Sequence, residues 1–208
     1  MPESHFYQPA DGHRLAHDPM NAIVAPRPIG WISTVNGAGA RNLAPYSFFN
    51  LFNYRPPIIG FSSIGWKDSV ANIAETGEFV WNLVTRDLAE AANTSSTIVP
   101  HGIDEFDLAA LDSAPSRLVR PDRVAASPVQ FECRLTQTLR LESKEGKATD
   151  TWLVLGEVIG VHIAADLLED GVYQTAKAGA VMRGGGPADW FEVGEMFKLV
   201  RPDPPIPT

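Results

Sequence analysis

From Thr151 to Ile163 the chain reads T-W-L-V-L-G-E-V-I-G-V-H-I, an almost unbroken apolar run. The stretch before it, Val129 to Leu141, alternates instead. Phe131, Cys133 and Leu135 fall on one side, and Glu132, Arg134 and Thr136 on the other. Only the polar segment S-K-E-G-K-A-T-D separates the two. Strands joined by so short a connection pair antiparallel, because a parallel pair needs a crossover of a dozen or more residues. The chain is therefore built from local hairpins rather than strand–helix–strand units. The apolar member is expected at the centre of a sheet.

The rest of the chain repeats this pattern. A-I-V-A-P-R-P-I-G-W-I-S-T-V is rich in β-formers and offers Ile29, Trp31 and Val35 to a core. Asn36-Gly37-Ala38-Gly39 reads as a turn. The return segment contains Pro45, which cannot donate to a ladder, so it is an edge strand or breaks into loop there. Pro56-Pro57 closes a second loop, and I-I-G-F-S-S is a short buried strand. K-D-S-V-A-N-I-A-E-T-G is a helix, with Asp68 as its N-cap, Val70, Ile73 and Ala74 at helical spacing, and Gly77 as its stop. E-F-V-W-N-L-V is a strand, and a second helix follows Asp87. Residues 98–128 form an excursion with one short helix near Glu105 to Leu111, and residues 1–20 an N-terminal arm. These elements predict one domain over residues 1–208, a mostly β protein with a few helices, folded as an antiparallel barrel.

Composition narrows the function. The net charge of −8 and the absence of a Lys/Arg run argue against nucleic acid or an acidic membrane as partner. No stretch approaches the roughly 20 apolar residues of a membrane span, and the N-terminus lacks the pattern of a signal peptide, so a cytoplasmic protein is expected. Cys133 is the single cysteine and reads as a core residue on a strand. Gly60 to Gly65 has the wrong spacing for a nucleophile elbow, which leaves a hydrolase built on Ser62 or Ser63 without support. There is no phosphate-binding Walker loop and no G-x-G-x-x-G. His13 and His17 stand four apart, but nothing completes a metal site, and none is expected. His162 reads as a core or interface histidine. No pair of side chains stands out as a general acid and base.

Two stretches carry the chemistry that remains. N-L-A-P-Y-S-F-F-N, Asn42 to Asn50, sets polar groups among flat apolar rings. Either the rings are core, or the stretch holds a flat ligand with a polar edge. Lys67-Asp68-Ser69 opens a helix, and is either a simple cap or a site where free N–H groups, a hydroxyl and an ammonium meet one phosphate. Hydroxyl residues at two strand ends, Ser33-Thr34 and Ser62-Ser63, fit the same pocket.

Taken in order, R-P-I-G-W-I-S-T-V, N-L-A-P-Y-S-F-F-N, P-P-I-I-G-F-S-S and K-D-S-V-A-N-I-A-E-T-G-E-F-V-W-N-L-V resemble the flavin reductase-like family of FMN-binding split barrels. G-E-V-I-G-V-H-I and the tail R-G-G-G…W-F-E-V-G-E-M-F-K-L-V-R-P resemble it too, so the resemblance covers most of the chain and residues 98–128 match it least. The resemblance implies a Greek-key split barrel, FMN held without a covalent bond, and a homodimer. It assigns Ser33 and Thr34 to the hydroxyl pair after the first strand. Asn42, Ala44, Pro45, Tyr46, Ser47 and Phe48 match the ring-binding segment, and Ser62 and Ser63 the strand end beside it. Lys67, Asp68, Ser69 and Asn72 match the phosphate-side segment. The implied activity is an NAD(P)H-dependent flavin reductase that delivers electrons to flavin, a partner monooxygenase or another redox protein. Two departures bear on that activity. Asp150-Thr151 stands where many reductases of the family carry Asp-His, and Trp190 where Tyr is common. These favour the alternative of an FMN-binding electron carrier without its own nicotinamide site.

Overall fold

The computed structural model describes residues 2–202. An exposed arm leads into a one-turn helix, α1 (Met20–Ile23). Four strands follow: β1 (Gly30–Val35), β2 (Arg41–Tyr46), β3 (Phe49–Tyr54) and β4 (Pro57–Ile64). Helix α2 (Asp68–Thr76) leads to β5 (Glu78–Asn82). Residues 98–128, preceded by α3 (Ala89–Thr94), contain α4 (Glu105–Leu108) and a small ladder of β6 (Ser113–Ala114) with β7 (Arg123–Val124). The long hairpin is β8 (Val129–Glu142) and β9 (Ala148–Ile163). Two small ladders finish the chain: β10 (Leu168–Glu169) with β11 (Val172–Tyr173), and β12 (Val181–Arg183) with β13 (Trp190–Glu192).

The seven-stranded sheet has the order β2-β1-β5-β8-β9-β4-β3, and all its ladders are antiparallel. Its two edge strands are β2 and β3, which only Ser47 and Phe48 separate in sequence. The sheet must curl until its edges approach, yet no ladder joins them among the described residues. The result is an antiparallel Greek-key split barrel. As expected, β9 is interior, between β8 and β4, and Pro45 sits on an edge strand.

Two apolar clusters use the two faces of β1. Ile32 points inward with Tyr46, Phe61, Phe79 and Trp81, and α2 adds Val70 and Ile73. Trp31 points outward and packs with Leu43, Val84, Leu88 and Phe106 beneath α3 and α4. Each large side chain buried this way contributes about 1.5–3 kcal/mol, and all six residues of β1 are buried. At Gly156 a Cβ would collide with the Phe79 ring, so glycine there lets β9 close over the core.

Three expectations need correction. The stretch after Phe49 is strand β3 rather than loop, and the turn before β4 is confined to Arg55 and Pro56. Asp68 is the first residue of α2 and not its cap. Lys67 holds the cap position, and no side chain caps the helix. The clean two-sided pattern of β8 is broken by an irregularity between Glu132 and Cys133, so both are fully buried.

Glu132 is therefore a carboxylate in the interior. It accepts from the backbone N–H groups of Arg117 (2.9 Å), Leu118 (2.6 Å) and Val119 (3.2 Å), and pairs with His162 Nε2 at 2.6 Å. It pins the far end of residues 98–128 to the sheet. Burial alone would raise its pKa. The bonds from His162 and from Arg117 and Leu118 outweigh burial and hold it below the ordinary value. A carboxyl lowered on folding stabilises the fold above its unfolded pKa, and that stabilisation is lost as pH falls through the folded value. Replacing Glu132 by Gln should destabilise the protein by about 3 kcal/mol at pH 7, read from urea unfolding. The gap between the two proteins should narrow as pH falls below the ordinary carboxylate range. A gap that stays constant with pH would refute the assignment.

Candidate functional site

The site forms where the edge of β2 meets the start of α2. β4 ends at Ile64, and Gly65, at φ 85°, turns the chain into Trp66 and Lys67. The first N–H groups of α2 are left without a side-chain cap, so the positive end of the helix is free. Ser69 is buried there, and its hydroxyl accepts from Asn42 Nδ2 of β2 at 2.8 Å. One turn on, Asn72 Nδ2 donates to Thr34 Oγ1 of β1 at 3.1 Å. These two bonds fix α2 to the hairpin of β1 and β2.

A cleft of about 310 Å³ opens at this junction. Asn42, Ala44, Pro45 and Tyr46 form one wall, Lys67, Asp68 and Ser69 the end, and residues 95–99 with His101 and Glu105 the other wall. A second hollow of about 230 Å³ shares Pro45, Tyr46 and Ser96 with it and adds Ser47, Arg183 and Trp190. The two make one groove, with an ammonium and a helix start at one end and an indole at the other.

The outer edge of β2 lines the first wall. Leu43 N–H leaves the β1 ladder and donates to Glu105 Oε2 at 2.9 Å. Backbone groups alternate along an antiparallel edge, so Pro45 also faces outward, where a missing N–H removes no ladder bond. Its carbonyl stays available to a ligand.

Eight residues predicted from the sequence thus gather on the groove: Asn42, Ala44, Pro45, Tyr46, Ser47, Lys67, Asp68 and Ser69. The others lie behind it or beside it. Ser33 Oγ donates to the Asp122 carbonyl at 2.6 Å, beneath residues 98–128. Thr34 and Asn72 bond each other. Ser63 Oγ donates to the Gly65 carbonyl at 2.9 Å, and Ser62 N–H to the Phe48 carbonyl at 2.8 Å. The Phe48 ring lies 5.6 Å from the Arg27 guanidinium and lines neither hollow. Sequence reasoning did not find Ser96, Thr97, His101, Glu105, Asn93 or Arg183. The run T-S-S-T after α3 was the available signal for the first two.

The electrostatics of the cleft are mixed. Asp68 turns to His101, with Oδ1 to Nδ1 at 2.9 Å. Burial raises the Tyr46 phenol above its usual value, and hydrogen bonding with Ser69 and Ser63 offsets this only in part. Burial also raises Glu105, against the pull of Leu43 N–H. Among the described residues no group of three or more metal-ligating side chains gathers. No helix among them is long and apolar enough to cross a membrane.

Comparison with known proteins agrees with this geometry. The family model for the flavin reductase like domain matches residues 21–181. The chain belongs to that family. An uncharacterized protein of Deinococcus radiodurans is 36% identical over 214 residues, spanning 97% of this chain and 91% of its own. Among solved structures, nitrilotriacetate monooxygenase component B from Bacillus cereus superposes with a TM-score of 0.80 at 29% identity, covering 86% of this chain and 90% of its own. The 2-nitrobenzoate 2-nitroreductase of Pseudomonas fluorescens gives 0.78 at 26% identity, covering 88% of each chain. The family points to a flavoprotein oxidoreductase and to a flavin as ligand.

Glu105 offers a test of how the groove wall is held. Its raised pKa means that ionisation works against the fold, and the penalty grows as pH rises from the ordinary carboxylate value through the folded one. Glu105→Gln keeps an acceptor for Leu43 N–H and should be neutral or stabilising at pH 7. Glu105→Ala strands that buried N–H and should cost about 1–3 kcal/mol in thermal or urea unfolding. Equal stability of the two variants would show that the Leu43 bond contributes nothing.

Proposed function

We propose that the protein is an FMN-binding oxidoreductase, an NAD(P)H-dependent flavin reductase that passes electrons to flavin, a partner monooxygenase or another acceptor. The observation that carries this reading is the groove. It joins an uncapped helix start with Lys67 and the buried Ser69 to a wall of Pro45 and Trp190.

The groove fits FMN group by group. The free N–H groups of α2 and the Lys67 ammonium would take the phosphate. The Pro45 carbonyl and the Ser47 hydroxyl would meet the pyrimidine edge of the ring, with Trp190 against apolar surface. Asp68 Oδ1 is engaged by His101, and Glu105 Oε2 by the Leu43 N–H. When bound, the flavin supplies the redox chemistry, accepting a hydride from reduced nicotinamide and releasing electrons to the acceptor. The chain's own residues would orient and shield the flavin.

We further propose a homodimer. The edge strand β3 leaves Leu51, Phe52 and Tyr54 exposed, with Ile64 and Trp66 exposed at the end of β4 and just after it. A second reading, an FMN-binding electron carrier, has one observation in its favour. Thr151 pairs with Ile64 beside the turn into α2, and Asp150 accepts Gly65 N–H at 2.8 Å, so that corner carries Thr151 in place of an imidazole.

A visible spectrum of the purified protein with FMN, taken without oxygen, separates the readings. Flavin bands should bleach on addition of NADH or NADPH. Bands that persist but bleach with dithionite would establish the carrier. Lys67→Ala should weaken FMN about ten- to a hundredfold, the range of one charge-assisted bond, and leave riboflavin nearly unchanged. Equal losses for FMN and riboflavin would remove the phosphate from that end of the groove.

A further inference from the structure

A third hollow, of about 650 Å³, lies beyond Trp190 and continues the groove. It shares Asn93 and Trp190 with the hollow before it. Its remaining chemistry is carried by Arg86, Glu90, Phe191 and Glu192. We propose that this hollow receives the adenosine half of the electron donor and selects a dinucleotide without a 2′-phosphate. The inference rests on the reductase reading above and specifies its donor.

Shape and rigidity support it. Trp190 is held in place by Arg183, whose guanidinium lies 5.2 Å from its ring. Arg183 is itself fixed by the carbonyls of Asp189 (2.9 Å) and Pro187 (3.1 Å). Trp190 and the half-exposed Phe191 offer flat apolar surface of the kind on which a base stacks. At the junction of the two hollows, the Asn93 amide and the Trp190 indole N–H have no protein partner among the described residues. They remain free for ribose or pyrophosphate oxygens.

Charge decides between the two nicotinamide dinucleotides. Among the described residues Arg86 is the only cation lining the hollow, and Glu192 engages it at 3.1 Å. Glu90, on the same wall, has no cationic partner among the described residues. The lining therefore carries one negative charge in excess. A 2′-phosphate would bring about 1.5–2 further negative charges against an unpaired carboxylate. A ribose 2′-hydroxyl instead donates to it, as in nicotinamide sites where an acidic side chain reads the ribose.

The test uses the full chain loaded with FMN. The ratio of kcat/KM for NADH over NADPH should be tenfold or more in favour of NADH. Calorimetry should show ADP-ribose binding more tightly than its 2′-phosphate. Glu90→Lys should lower both preferences at least tenfold, and Trp190→Ala should weaken ADP-ribose. Equal binding of ADP-ribose and its 2′-phosphate would overturn the proposal, as would a preference that Glu90→Lys leaves unchanged or an absence of ADP-ribose binding. FMN titration of the same proteins keeps the two readings apart. Loss of ADP-ribose discrimination with FMN binding intact sinks only the donor assignment, whereas no FMN binding sinks the reductase.

Discussion

A sheet whose two edge strands are joined by two residues cannot stay open. Ser47 and Phe48 carry the chain from β2 to β3, which are opposite edges of the seven-stranded order. The curl that results has consequences throughout the molecule. It wraps Phe61, Phe79 and Trp81 into one interior. It also leaves β2 without a neighbour on its outer side, so half of its backbone groups face away from the ladder. Leu43 N–H finds Glu105, and the Pro45 carbonyl faces the groove. The candidate site is the place where closure of the barrel stays incomplete.

An unpaired strand edge invites association with other chains and is usually covered. Here β2 is covered by α4 and the ends of α2 and α3, held by polar contacts rather than by a ladder. Arg41 reaches Asp104 at 2.6 Å and Ser113 at 3.0 Å, and its guanidinium lies 5.1 Å from the Phe106 ring. Asn42 holds Ser69, and Asn72 holds Thr34. A bond of this kind contributes net only about 1 kcal/mol, while leaving its buried partner unmet costs more. The network thus acts mainly by excluding other arrangements. It fixes the start of α2 against β2, and so places the end of the cleft beside its first wall.

Much of this was legible in the sequence because the informative contacts are local. The hairpins of β1 with β2 and of β8 with β9, the helix of Lys67 to Gly77, and the edge position of Pro45 all follow from neighbours within a few residues. What was not legible depends on partners far away. β3 was hidden because its apolar residues stay exposed, so no alternation marked a strand. Glu132 reads as surface until the irregularity in β8 turns it inward toward residues 117–119. Ser33 has the right chemistry for a phosphate, but its hydroxyl meets Asp122, 89 residues on. The side chains that line the groove from residues 93–105 carry little signal beyond the T-S-S-T run, because docking of a distant segment brings them there.

The placement of Trp190 shows what such docking requires. β12 is tied to the barrel by paired bonds between Arg27 and Arg183, 2.9 Å in each direction, and by Val181 N–H to the Val84 carbonyl at 3.0 Å. From there the chain passes through Gly184-Gly185-Gly186. A Cβ at Gly185 would collide with the backbone of Ala22 in α1, so glycine alone lets the tail cross that helix so closely. The Arg27 guanidinium, beneath the crossing, donates to the carbonyls of Val24 at 2.7 Å and Gly184 at 2.9 Å. Helix α1, the segment leading into β1 and the tail are thereby locked at one point, and β13 leaves it with Trp190 directed at the groove. A wall fixed this way loses little conformational freedom when a flat ligand comes against it, which lowers the entropic cost of binding. The glycine run and Arg27 are therefore part of the groove's construction, although neither lines it.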